Sequence, residues 1–474
     1  MSVLAIDQGT SGTKAIVVDH TGVVLALAER SVHPQYLSGG RVEQDPAELL
    51  ESVLSAGLAA VESAGVPIEV VALANQGETV LAWDPTTGAP LTQALVWQDS
   101  RAQSVCDELA EHRGQIAQRS GLVLDPYFSA PKMTWIRRNL TTQGVVTTTD
   151  TWLVHALTGE FVTDVTTASR SLVLGIDDVA WDDDLLALFG LAEEQMPRLV
   201  SCDDIVGTTR AFGREAPVAG LIVDQQAALF AENCLDVGQA KCTFGTGAFL
   251  LSNSGARAPR SAHGLTASVA WRTSHGTEYC LDGQVYTAAS AIRWLKDLGL
   301  LSTSREMDTL SAPDSAGVLF IPALAGLAAP WWRSEARAAW SGLNLATQRG
   351  HLIRSVLEGI AAQVTDLVRV MEADMGSPIA SLRVDGGLTK SPVLMQVQAD
   401  LLQCPVEIYP SAHATPLGAA AMARLAVEPG LSLEEAVWPW APSGVHEPTW
   451  SADRAADFLG RWRTAVEATA GGHQ

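Results

Sequence analysis

Two folded α/β halves are predicted, on three observations. The chain has 474 residues, more than one hydrophobic core normally serves. Apolar residues make up 47% of it and fall into short strand-like runs and helix-spaced faces. Each half also contains an apolar strand, a tight Gly/Thr turn and a second strand: "AIDQGTSGTKAIVVD" near the start and "KCTFGTGAFLLSNSG" at 241–255. The boundary is placed between 238 and 239, giving halves 1–238 and 239–474.

In chain order, residues 2–30 read as three strands ("VLAID", "TKAIVVD", "VVLALAE"). Their short, Gly-containing connections argue for antiparallel hairpins. A helix follows over 45–65, with Asp45 as N-cap and Pro46 in the first position. Leu49, Leu50, Val53, Leu54, Leu58 and Val61 lie on one face of it. "IEVVALA" (68–74) is a buried strand. In the second half, apolar residues from Ile353 to Met371 keep three-or-four spacing in a long helix that Gly376 ends. Next come the strand "SLRVDGG", a helix starting at Ser391 and Pro392, the strand "VEIYP", and a helix starting at Thr415 and Pro416. A closing helix, "SADRAADFLGRWRTAVEA", is expected to pack back on the second half. The similar openings of the halves suggest an internal duplication, although no repeat of fixed period is visible.

Composition excludes several classes. The net charge of −22 repels nucleic acid and anionic membrane, so any phosphate site must be built locally from backbone N–H groups and a few cations. Six cysteines form no C-x-x-C pair, which indicates neither a zinc site nor a disulfide framework. "MSVLAIDQG" lacks the basic flank and long apolar core of a secretory leader. The uncharged run 315–332 is interrupted by Pro322 and Gly326 and reads as a buried strand plus loop. A cytoplasmic location is expected.

Five polar stretches sit at the ends of apolar strands, where ligands of α/β proteins usually lie: "DQGTSGTK", "NQGET", "VDQQ", "FGTGAF" and "VDGG". In the first, Gly9 and Gly12 let the backbone approach a ligand among the hydroxyls of Thr10, Ser11 and Thr13. Lys14 adds a cation, and Asp7 can hold a hydrated magnesium ion beside a polyphosphate. A plain glycine hairpin is the other reading. "FGTGAF", with Thr246 between two glycines, is a second hairpin of this kind, and two such turns could clamp phosphates from both sides. Asp224 is either a general base toward a hydroxyl or a helix N-cap.

Ten stretches in a common order resemble the FGGY family of carbohydrate kinases. They include "AIDQGTSGTKAIVVD", "ALANQGETVLAWDPTTGAP", "GLVLDPYFSAPKMTWI", "VTDVTTASRSL", "VDQQAALF" and "LRVDGGLTKSPVLMQVQADLL", and they span about residues 2–425. The resemblance implies two actin-like ATPase (ribonuclease H-like) domains, with ATP, Mg²⁺ and a small polyol in the cleft between them. Glycerol is the first candidate. A larger polyol or ketose such as erythritol or xylulose is the alternative, and a polyol-independent ATPase a third. By the resemblance, Asp7 helps hold Mg²⁺, while Thr10, Ser11, Gly12, Lys14, Thr246, Ala289, Arg293, Gly387 and Ser391 meet ATP. Gly77, Glu78, Tyr127, Asp224 and Gln225 hold the polyol, Trp97 and Phe249 wall its carbons, and Asp224 is the catalytic base. A homodimer or homotetramer is expected. Members that phosphorylate glycerol normally read "NQRET", with arginine where this chain has Gly77. That exchange removes five N–H donors and leaves space. The family's basic allosteric loop is represented only by "RAFGREA" (210–216), which argues against inhibition by a sugar phosphate.

Overall fold

A computed structural model describes residues 1–333 and 335–470. Its organising feature is a strand pattern that occurs twice. In the first half, Val24–Ser31, Gly12–Asp19 and Ser2–Gln8 run antiparallel to their neighbours. Val70–Asn75 and Ala216–Val223 then add parallel, and Gly207–Thr209 closes the sheet antiparallel. The second half repeats this order. Gly276–Val285, Ala248–Gly255 and Ala240–Phe244 are antiparallel, Leu382–Asp385 and Val406–Ile408 parallel, and Gly444–His446 antiparallel at the edge. One further strand, Thr266–Thr273, extends the second sheet beyond Gly276–Val285. The duplication hinted at by the turns is therefore explicit in the topology: two actin-like domains, each a mixed sheet with helices against it.

The long helices hold the expected places. Pro46–Ala64 is capped by the Asp45 side chain, which accepts from Ala47 N, and it ends on Gly65 in the left-handed region. Its buried face is Leu49, Val53, Ala56 and Ala60; Leu58 is exposed, so the apolar stripe is narrower than the sequence suggested. Arg349–Met375 is a 27-residue helix that stops at Gly376, φ 68°. The third helix begins one residue earlier than expected, at Ala414. In the closing helix Ala452–Ala470, Phe458, Leu459, Trp462 and Val466 join the second half's core, and Trp462 Nε1 donates to Phe320 O at 3.0 Å.

Several elements were not anticipated. A five-stranded sheet of short strands runs in the order Gln35–Leu37, Arg41–Gln44, Ala94–Leu95, Val80–Trp83, Val145–Thr148 and forms one wall of the cleft. The Trp-rich tail contributes the edge strand Gly444–His446. No helix of the described residues is long and apolar enough to cross a membrane.

Candidate active site

The parallel strands of both sheets end facing one cleft. Ser2–Gln8 delivers Asp7, Val70–Asn75 leads into Gln76, Gly77 and Glu78, and Ala216–Val223 leads into Asp224. From the other side, Ala240–Phe244 runs into the turn at 245–247, and Leu382–Asp385 runs into Gly386 and Gly387. Both turns need glycine for close approach. A Cβ on Gly12 would lie 2.8 Å from Arg30 O, and one on Gly247 would fall on the Val285 carbonyl. The second turn is tied to the helix Ala289–Asp297, because Ala289 N donates to Gly245 O and Ala288 N to Thr246 O.

Between the turns lies a cavity of about 240 Å³. Thr10, Ser11, Gly77, Glu78, Trp97, Tyr127, Asp224, Gln225, Thr246 and Phe249 line it. The rings of Tyr127 and Phe249 stand edge-on to Trp97, with centroids 5.5 and 6.1 Å away. Trp97 Nε1 donates to Thr10 Oγ1 at 2.8 Å, which ties the aromatic wall to the first turn. Tyr127 is held from behind by Lys132. Its buried ammonium donates to the carbonyls of Pro126, Tyr127 and Phe128, and burial pulls its pKa down to about 8.

The remaining expected residues lie outside the lining of this cavity. Gly12 and Lys14 belong to Gly12–Asp19, where the Lys14 ammonium donates to Ala412 O at 3.2 Å. Arg293 is exposed one turn into the helix that Ala289 begins. A Cβ on Gly387 would meet nothing within 4 Å, which leaves room for a ligand. Ser391 is buried, donates to Asp308 and caps the helix Pro392–Leu402 through Leu394 N; its hydroxyl is already spent. Asp224 opens the helix Asp224–Ala231 but does not cap it: its Oδ1 accepts from Gln225 N, and the helix has Val223 at its N-cap with no side-chain cap bond. The N-cap reading of Asp224 therefore fails on geometry.

The inner end of the cleft contains a residue that sequence reasoning passed over. Arg170 Nε donates to Glu78 Oε1 at 2.6 Å, and its Nη1 donates to Asp282 Oδ1 at 2.7 Å. All three side chains are buried, and the pair to Asp282 joins one half of the chain to the other. Glu78 is delivered by a strained three-residue turn, with φ 60° and Thr79 N donating to Gly77 O at 2.7 Å. Burial raises its carboxyl pKa, and Arg170 works against that. At Gly77 a side chain would start in tight contact with its neighbours. A Cβ there would sit 3.0 Å from Val223 Cγ2 and 4.0 Å from Arg170 Cγ. Gly77 nevertheless lines the cavity, and Arg170 supplies a guanidinium nearby from another segment.

Three acids lie within electrostatic reach of one another where the sheets approach. Burial pushes Asp7 up to about 7, with Asp224 and Asp385 adding repulsion and Lys14 opposing it. Asp224 and Asp385 are raised by burial as well, and Lys241 is the main counterweight for both. Lys241 Nζ donates to Gln225 Oε1 at 2.6 Å and Thr243 Oγ1 at 2.8 Å, bracing the residue after Asp224. Asp385 Oδ1 is buried without a hydrogen-bond partner among the described residues. This excess of carboxylate with an orphaned oxygen fits a divalent cation. No cluster of three ligating side chains exists among the described residues, so the fit is to an ion that keeps most of its water.

Comparison with known proteins agrees with this geometry. The family models for the FGGY family of carbohydrate kinases match residues 2–231 with the N-terminal domain and 240–427 with the C-terminal domain. The chain belongs to that family and is a kinase. Among its relatives, a glycerol kinase of Alkalilimnicola ehrlichii is 42% identical over 446 residues, 90% of each chain. One from Aromatoleum aromaticum is 40% identical over 489 residues, 99% of each. The structure of Plasmodium falciparum glycerol kinase with ADP superposes with a TM-score of 0.91 at 31% identity, over 99% of this chain and 98% of that one. A xylulose kinase from Lactobacillus acidophilus shares the fold with a TM-score of 0.90 at 20% identity, over 99% of both chains.

Proposed function

We propose that this protein transfers the γ-phosphoryl group of ATP to a terminal hydroxyl of glycerol, forming glycerol 3-phosphate. One observation carries the reading. Asp224 lines the same cavity as both glycine turns and the Glu78–Tyr127–Trp97 wall, so a hydroxyl held by the wall can meet a phosphate held by the turns. Relatives of nearly the same length at about 40% identity are glycerol kinases.

In this reading Glu78, Tyr127 and Gln225 orient the polyol hydroxyls, and Trp97 and Phe249 cover its carbons and exclude water. Asp224 takes the proton of the attacking hydroxyl, and burial makes that carboxylate more basic. Thr10, Ser11, Gly12, Lys14 and Thr246 line the phosphates. Ala289, Arg293 and Gly387 face the rest of the nucleotide, and Ser391 supports its binding helix. Phosphoryl transfer depends mostly on positioning and charge. Asp7, with Asp385 behind it, would hold Mg²⁺ through water; that ion, when bound, neutralises the phosphate oxygens. The polyol half is 1–238 and the nucleotide half 239–474, a division supported by the repeated sheet. Action in the cytoplasm as a homodimer or homotetramer belongs to the same reading and rests on the family alone.

The test is ADP release with and without glycerol. Strong dependence on glycerol supports the proposal, whereas ATP turnover indifferent to any polyol would replace it with an ATPase.

A further inference from the structure

Gln76 opens the turn that delivers Glu78, and the proposed reaction gives it no role. It is 1% exposed. Its Oε1 accepts from Thr10 Oγ1 at 3.1 Å and from Thr79 Oγ1 at 3.2 Å. Its Nε2 donates to Gln44 Oε1 at 2.9 Å and to Gln8 Oε1 at 3.3 Å. A side-chain amide has two acceptor positions and two protons, so Gln76 has nothing left to offer a ligand.

The proton directions follow from Trp97, whose N–H groups can only donate. The indole Nε1 donates to Thr10 Oγ1 at 2.8 Å, and the backbone N to Thr79 Oγ1 at 3.2 Å. Each threonine therefore passes its own proton to Gln76. That fixes the amide with its oxygen toward the two threonines and its NH₂ toward Gln8 and Gln44. These two glutamines in turn hold the first glycine turn. Gln8 Nε2 donates to Gly9 O at 2.8 Å, and Gln44 Nε2 to Thr10 O at 2.7 Å. In a planar trans peptide the N–H points opposite to the C=O. Holding these carbonyls thus turns the N–H groups of Thr10 and Ser11 the other way, and neither has a backbone partner among the described residues. Both residues line the main cavity. The Trp97 wall and the phosphate turn are therefore two ends of one buried framework, and Gln76 is where its arms meet.

We propose that Gln76 is a positioning residue that couples the two substrate sites, so that a polyol against Trp97 steadies the phosphate turn and a bound phosphate steadies the wall. Whichever ligand binds first orders the shared framework, and the second no longer has to. This coupling presupposes the polyol-kinase reading and deepens it.

The test is calorimetry on the full-length protein. The Kd of AMP-PNP with Mg²⁺ is measured with and without saturating glycerol, and the Kd of glycerol with and without the nucleotide. Glycerol should tighten the nucleotide at least about fivefold, the low end of typical coupling, and the nucleotide should tighten glycerol by the same factor. Gln76→Met, close in size but without the four bonds, should bring both factors below about twofold while each ligand still binds alone. A merely structural role would weaken the ligands and leave the factor between them intact. An unchanged factor in Gln76→Met therefore overturns the inference. So does an absence of coupling in the unaltered protein, and the kinase reading survives either result. Should Gln76→Met fail to fold or to bind, Gln44→Met decides. It cuts only the arm to Thr10 O, and the factor should still fall; an unchanged factor there overturns the inference. Failure of every polyol to bind, with or without nucleotide, brings down the kinase reading and the coupling together.

Discussion

In the proposed reaction, Asp224 is the residue on which the chemistry turns. Asp224→Asn keeps the shape and removes the proton acceptor, so kcat should fall by roughly 10²–10⁴ while ADP binding, measured by calorimetry, stays near its original value. Near-normal kcat would reduce Asp224 to a positioning residue. At Gly77 the geometry predicts coupling. Gly77→Arg alone drives a Cβ to 3.0 Å from Val223 Cγ2 and should cost both stability and activity. Val223→Ala clears that methyl, so the double variant should recover KM for glycerol by a larger factor than the single effects sum to, as contacting residues do. Additive effects would show that Val223 is not the obstacle. Asp150 offers a test of pH. Burial, then repulsion from Asp164, raises its folded pKa to about 7, far above the unfolded ~3.9. The folded state therefore binds the extra proton between those values. The group's favourable contribution is complete below pH ~4 and is lost as pH rises through 7. Asp150→Asn removes that loss, so its melting temperature should exceed the original at pH 8, and the gap should narrow as the pH falls and close near pH ~4. A gap independent of pH would contradict this account. Much of the site was legible at this scale, because Asp7, Glu78, Asp224 and Thr246 sit beside glycines or at the ends of apolar runs. Arg170, Asp282 and Gln284 were not. Asp282 and Gln284 give the end of Gly276–Val285 an alternating polar face, and alternation of that kind ordinarily marks solvent. Here it marks a cavity.

Among the elements, the helix pair Asp224–Ala231 and Ala414–Val427 sets where Asp224 points. Gly418 makes the pair possible, since a Cβ there would fall on the Ala227 carbonyl. Gly418→Ala should push the helices apart, destabilise the fold by about 1–3 kcal/mol or more, and lower kcat through Asp224. Unchanged chemical-denaturation midpoints would refute that. The long helices were readable because caps, spacing and end signals all agreed: Asp45 with Pro46, Ser391 with Pro392, and Gly376 as terminator. The cleft-wall sheet escaped notice because its strands are only two to four residues long. Segments so short carry no period; partners distant in sequence define them.

For the whole molecule, charge and connection between the halves matter most. The net charge of −22 repels ATP at long range, and added salt screens that repulsion. The association rate of MgATP, followed by stopped flow, should therefore rise between about 20 and 200 mM salt; a fall would mean that the cleft's own cations dominate the approach. Arg170 behaves differently because it is buried between Glu78 and Asp282. Removing it strands two carboxylates and should cost about 3–5 kcal/mol, a loss that salt barely changes. The duplication itself was only suggested by the two turns. Strand direction, which no residue pattern encodes, revealed it.

Trp97 joins these scales in one side chain. It bonds Thr10 in the first half and meets Phe249 of the second at 6.1 Å. The indole thus serves as an optical gauge built into the cleft. A ligand entering the cavity displaces water from around its ring, so the polarity and quenching there change together. Subtracting the emission of Trp97→Phe isolates that signal from the other tryptophans, so ligand entry can be timed by fluorescence without attaching any label.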